Sequence, residues 1–170
     1  MVLDVRFVVV DHPNIYLQFQ FVPESVQYSK EIIYAEYNFV HFNTSVLQYG
    51  AAKARSWPIE MFVHERMPSS TNPVYAPSGP PEITDLGTTN TEKIIAWFEW
   101  LTSPDLISVG RGGGRFGFTP IPVFFVWGRI NERVVLKRLQ VKREQFNGKG
   151  EALQARITVE AVQFSNWPLE

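Results

Sequence analysis

The chain has 170 residues, 45% of them hydrophobic and 14% aromatic, and a net charge of −1 from 16 basic and 17 acidic side chains. That balance argues against a domain held on nucleic acid by bulk charge. The lack of any Cys excludes disulfides, Cys-ligated metal and thiol nucleophiles. The length fits one domain, and a chain of this size buries roughly 70% of the surface exposed on unfolding.

The N-terminus, Met1 to Phe7, carries Asp4 and Arg6 and has no apolar stretch of signal-peptide type. No uncharged apolar run approaches the ~18 residues of a membrane helix. The expectation is a soluble protein made in the cytoplasm. Leu3, Val5, Phe7 and Val9 alternate with Asp4 and Arg6, and Asp11-His12-Pro13-Asn14 is a turn. Ile15, Leu17, Phe19 and Phe21 alternate with Tyr16, Gln18 and Gln20. These two period-2 runs predict an antiparallel hairpin with one dry face.

Pro23-Glu24-Ser25 breaks the second strand. Residues 26–42 are rich in Tyr, Ile and Phe, which favours strand over a short helix at Glu31–Tyr37. Trp57, Ile59, Met61 and Val63 share one parity, so Arg55–His64 is predicted as a strand, with Pro58 marking an edge or bulge. Residues 67–90 hold five prolines among Ser, Thr, Asn and Gly and predict a long loop.

One helix is signalled. Thr89, Asn90 and Thr91 are N-cap candidates, Glu92 falls in the first turn, and Ile94, Ile95, Phe98 and Leu101 share a face before Pro104. Trp97 and Trp100 flank that stripe and are expected to pack on the sheet. Gly110 to Gly117 follows, carrying Arg111 and Arg115. It fits neither a P-loop nor a dinucleotide fingerprint. A flexible connector, a protein-contact loop and an RGG-type nucleic-acid segment are the open readings, in that order.

Val123 to Trp127 is apolar at both parities, as in a strand covered on both sides, and Gly128 closes it. Leu139 and Val141 alternate with Arg138, Gln140, Lys142 and Glu144. After the turn Asn147-Gly148-Lys149-Gly150, Leu153, Ala155, Ile157, Val159 and Ala161 alternate with Gln154, Arg156, Thr158 and Glu160. Past Ala161 the parity changes, which a bulge there or burial of both faces would explain. The absence of βαβ alternation and of any fixed repeat leaves a mainly β domain, a β-sandwich or partly closed antiparallel barrel with one packed α-helix.

Chemistry-bearing patterns are sparse. His12, His41 and His64 sit on separate segments without metal-ligand spacing. No Gly-x-Ser-x-Gly elbow occurs, and no carboxylate pair stands out as an acid–base couple. No enzyme activity, cofactor or metal is expected. The polar parity of the last hairpin reads either as a solvated face or as the wall of a lumen.

The order of segments resembles the tube-type domain of phage-tail and contractile-injection-system proteins. Phe19-Gln20-Phe21-Val22-Pro23-Glu24-Ser25-Val26, Trp57-Pro58-Ile59-Glu60-Met61-Phe62-Val63, Pro120 to Gly128, and Val135 to Phe164 carry the likeness, with the helix between the second and third. It covers about residues 15–164 of one domain spanning 1–170. In several such proteins a LysM-like module follows, whereas only Ser165 to Glu170 come after Phe164 here. The loops about 67–90 and 103–119 are long for the family.

The resemblance implies a non-enzymatic virion component that forms a ring, of six copies. A short member would be a tube initiator, a hub-to-tube adaptor or a related baseplate accessory. Its partners would be itself and tail-tube, hub or sheath proteins, with DNA only as passive cargo and no membrane. Arg138, Gln140, Lys142, Glu144, Gln154, Arg156, Thr158 and Glu160 would then face the lumen. Tyr75, Arg111, Arg115, Phe116 and Phe118, on the two long loops, would contact neighbours. The alternative from the residues alone is a monomeric β-sandwich that binds carbohydrate or another ligand through its five Trp.

Overall fold

The computed structural model describes residues 5–21, 25–37, 46–65, 87–102 and 121–164. Strands β1 (Val5–Val9) and β2 (Tyr16–Gln18) form the first hairpin. β3 (Ile32–Tyr37) and β4 (Val46–Ala52) form a separate two-stranded ribbon. Next come β5 (Ser56–His64), helix α1 (Asn90–Thr102), β6 (Val123–Trp127), β7 (Ile130–Phe146) and β8 (Ala152–Gln163).

The main sheet has six antiparallel strands in the order β2-β1-β6-β7-β8-β5. Among the described residues the architecture is mainly β with one packed helix, as the periodicities imply. Alternation decides which side of the sheet is dry. Val5, Phe7, Val9, Trp57, Ile59, Met61, Val63, Ile157 and Val159 all turn inward and are buried. α1 covers this side with Ile94, Ile95, Trp97, Phe98 and Leu101. Phe7 is the hub, with ring centroids 5.4 Å from Phe19, 6.0 Å from Phe98 and 5.4 Å from Phe125. Trp97 is fully buried and Trp100 is half-buried against the core, so both pack as expected.

No backbone ladder closes the sheet into a barrel, yet its two edges meet. Gln20, just past β2, is buried and grips the end of β5. Its amide donates to the His64 carbonyl at 2.8 Å, and its oxygen accepts from the His64 N–H at 2.8 Å. Phe21 and Phe62 stack across the same seam at 5.6 Å. At the other end of β5, Ser29 and Ser56 exchange two backbone hydrogen bonds of 2.9 Å. Both ends of this edge strand are thereby covered, which blunts its tendency to pair with another chain. Pro58 sits on that edge strand, where a missing N–H costs no ladder bond.

Of the three N-cap candidates, Thr89 takes the role. Its carbonyl accepts from Lys93 N–H at 3.1 Å and its hydroxyl oxygen accepts from Glu92 N–H at 3.4 Å. The same hydroxyl donates to the Ala152 carbonyl at 2.9 Å, tying the helix start to β8. Glu92 accepts from Ala152 N–H at 3.1 Å and pairs with Arg143 at 3.2 Å.

Three expectations are refined. The irregularity foreseen near residue 161 lies on the opposite strand. Leu136 pairs with Ala161 and Arg138 with Glu160, so Lys137 is the extra residue and β8 keeps its alternation. Phe124 and Val126 are half-buried rather than fully covered. Residues 32–37 are strand, and the partner Val46–Ala52 was not foreseen at all. Two tight turns follow their chemistry. Gly128 adopts φ +59° in the two-residue turn from β6 to β7. In the β7–β8 turn, Asn147 Oδ1 accepts from Lys149 N–H at 2.9 Å and Glu151 N–H at 3.0 Å, with Gly150 at φ +82°.

Candidate functional site

The outward side of the sheet is where strand alternation delivers the side chains not used by the core. Its two halves differ. Towards the β7–β8 turn it is polar. Register places Arg138 opposite Glu160, Gln140 opposite Thr158, Lys142 opposite Arg156 and Glu144 opposite Gln154. All eight positions predicted as lumen-facing therefore share one face. β5 extends it with Pro58, Glu60, Phe62 and His64.

Lys142 and Arg156 are like charges directly opposite each other, and each has its own carboxylate. Lys142 meets Glu144 at 2.8 Å, and Arg156 meets Glu60 at 3.2 Å. Gln154 donates to Glu144 at 2.8 Å, and Ser56 donates to Glu160 at 3.1 Å. The hydrogen bond and charge of Lys142, helped by Arg156 and Gln154, hold the Glu144 carboxyl below its ordinary value. Arg138, Lys142 and Arg156 match Glu60, Glu144 and Glu160, and Lys137 reaches Glu160 at 3.9 Å, so the face is close to neutral with a slight positive excess. Exposed pairs of this kind add little stability. They keep the surface wet, with weak attraction for a polyanion.

The other half of the outward face, across β1, β6, β7 and β8, is mixed: its apolar side chains share it with Arg6 and Asn131, which lie in the row of Val126, and with Arg133. Val8 stands beside Phe124, and Val135 beside Val162, with Val126 next in β6. These side chains are half-buried. Arg133, in the row of Val8 and Phe124, lies over the Phe164 ring at 5.4 Å and has a buried Nε without a hydrogen-bond partner.

A cleft of about 460 Å³ opens where β5 begins, lined by Val26, Tyr28, Arg55, Trp57, Ile130 and Glu132 among others. Arg55 pairs with Glu132 at 2.9 Å and lies over the Tyr28 ring at 5.5 Å, while Tyr28 stacks on Trp57 at 5.0 Å. The volume falls in the small-ligand range. Its tryptophan is only 3% exposed, however, so the accessible aromatic surface belongs to Tyr28. None of the four described tryptophans is exposed.

The β3–β4 ribbon differs from all of these. Six of the nine large apolar side chains exposed among the described residues lie on it: Ile32, Ile33, Tyr34, Tyr37, Leu47 and Tyr49. Its extensive packing is between its own two strands. Sequence reasoning favoured strand across β3 but missed its partner β4 and the pairing, because both parities are apolar and Gly50 is an extra residue in β4 where the pairing shifts between Ile33 and Tyr34. The readable signal was that lack of alternation, which leaves no face for water.

The predicted contact residues Tyr75, Arg111, Arg115, Phe116 and Phe118, and His41, lie outside the described residues. His12 is exposed in its turn and His64 is held at the seam. Among the described residues no three His, Cys, Asp or Glu side chains cluster as a metal site, and no helix is long and apolar enough to cross a membrane. No protein-family model matches the chain, and a search of the curated proteins finds no match.

Proposed function

We propose that the chain is a structural, non-catalytic subunit of a phage tail or contractile injection machine. In this reading it forms a ring of six copies at the junction of baseplate and tube, joining the tube to hub or sheath-proximal proteins. It reaches the virion after synthesis in the host cytoplasm, and DNA passes it only as cargo. The observation that supports assembly is the ribbon, which carries most of the large apolar side chains exposed among the described residues and is too slight to be stable alone. The near-neutral, wet half of the sheet suits a lumen wall that must not retain DNA.

The test is electron microscopy and quantitative mass spectrometry of tails produced with and without this chain. The expected result is six copies per tail and loss of a defined baseplate or tube layer in its absence. Intact tails without it would sink the proposal. A second reading, a monomeric β-sandwich binding carbohydrate or another ligand, draws on the cleft beside Tyr28. It expects glycan binding that Tyr28→Ala abolishes, and a blank result on a broad glycan array removes it.

A further inference from the structure

The ribbon presents two sides. Ile32, Tyr34 and Glu36 share one, and register brings Leu47 and Tyr49 opposite Glu36 and Tyr34 on that same side. The Tyr34 and Tyr49 rings meet edge-on at 6.2 Å there. Glu36 is the single Asp, Glu, Lys or Arg of the two strands. This side is therefore an apolar plate bearing one negative charge. Its large side chains are between 45% and 63% exposed, so the ribbon does not fold back over its own sheet.

The body carries a surface of the converse character. The outward half holds the apolar side chains of Val8, Phe124, Val126, Val135 and Val162, with Arg6 and Asn131 along one end row, and Arg133 within it has no carboxylate partner among the described residues. The dimensions agree. Seven residues of β4 reach about 23 Å, and the four strands from β1 to β8 span about 15 Å at ordinary sheet spacing. A ribbon of this length crosses the whole of this half.

We infer that the ribbon of one copy docks on this half of the outward sheet face of a second copy, with Glu36 against the partner subunit's Arg133. This rests on the self-assembling reading above and specifies its contact. The occupant is a copy of this chain because charge and apolar extent are complementary between two surfaces of the same molecule. The contact is heterologous: each copy offers one ribbon and one face. Addition of a copy always leaves one of each open until the ring closes. The polar half stays uncovered and free to line the lumen.

The Cys-free sequence makes the contact directly testable. Full-length Leu47→Cys and Val135→Cys are mixed under mild oxidation, with Leu47→Cys plus Thr158→Cys as the polar-half control. The expected result is a heterodimeric disulfide in the first mixture and little in the control. Glu36→Arg should weaken the cross-link roughly tenfold, through like charges set face to face. Adding Arg133→Glu to the other partner should restore it. Because Arg133→Glu disturbs a half-buried side chain, Glu36→Lys with wild-type Arg133 gives an independent reading from the exposed ribbon alone.

Analytical ultracentrifugation of the wild-type chain runs alongside. Oligomers without the ribbon-to-face cross-link overturn this contact and leave the ring proposal standing. Cross-linking to the polar half at the same yield also overturns it. A monomer that never cross-links, even at high concentration, overturns the contact; the tail experiment above then decides the ring proposal by itself.

Discussion

The body and the ribbon draw on the same residue types and use them in opposite ways. In the body, Phe7, Trp57, Ile59 and Ile157 occupy one parity of their strands and are removed from water by α1 and by each other. In the ribbon, Ile32, Ile33, Tyr34 and Tyr37 occupy both parities, and all remain exposed. Alternation is the mark of a strand that completes its own core. An apolar strand pair without alternation and without cover marks a surface finished by another molecule. The first region is self-sufficient, and the second is where the proposed neighbour would dock.

The sharpest break of this comparison is core truncation. Phe7→Ala removes the ring that Phe19, Phe98 and Phe125 share and should cost about 3–5 kcal/mol in urea unfolding. The seam comes next. Gln20→Leu leaves the His64 N–H and carbonyl without their partner and should cost about 1–3 kcal/mol, with faster hydrogen exchange at His64. Thr89→Ala removes the N-cap and the tie to Ala152, for about 1 kcal/mol in the same unfolding assay.

The ribbon should behave otherwise. Leu47→Ser should change monomer stability by no more than about 0.5 kcal/mol, and association by far more. A large loss of monomer stability would show the ribbon to be part of the body's core after all. The smallest effect belongs to the polar face. Glu144 titrates below its ordinary value in the folded state, so its contribution is complete above the unfolded value and fades as pH falls through the folded one. Lys142→Met should move the Glu144 titration, followed by NMR, upward toward that ordinary value.

Much of the body was legible in the chain. Alternation at Val5, Phe7 and Val9, at Trp57 to Val63 and at Ala155 to Ala161 marks both the strands and their dry sides. Thr89 with the Ile94, Ile95, Phe98 and Leu101 stripe marks the helix, and Asn147 to Gly150 marks the turn. The same alternation groups the eight polar positions on one face, because a period of two leaves no other choice.

Period alone names a face and not a neighbour. That β1 lies between β2 and β6, so that Val5 stands opposite Trp127, depends on side chains more than a hundred residues apart. The seam is similar: Gln20 reads as an ordinary outward polar residue until curvature brings β5 to it. The parity change after Ala161 does not mark a bulge in β8: Val162 stands half-buried on the outward face beside Val135, and the extra residue, Lys137, lies on the partner strand, where its own residues gave no sign of it. The sequence by itself determined which residues want to leave water. Only the tertiary structure decided which of them succeed within one chain, since that turns on long-range pairing and on how far one helix and one curled sheet can reach.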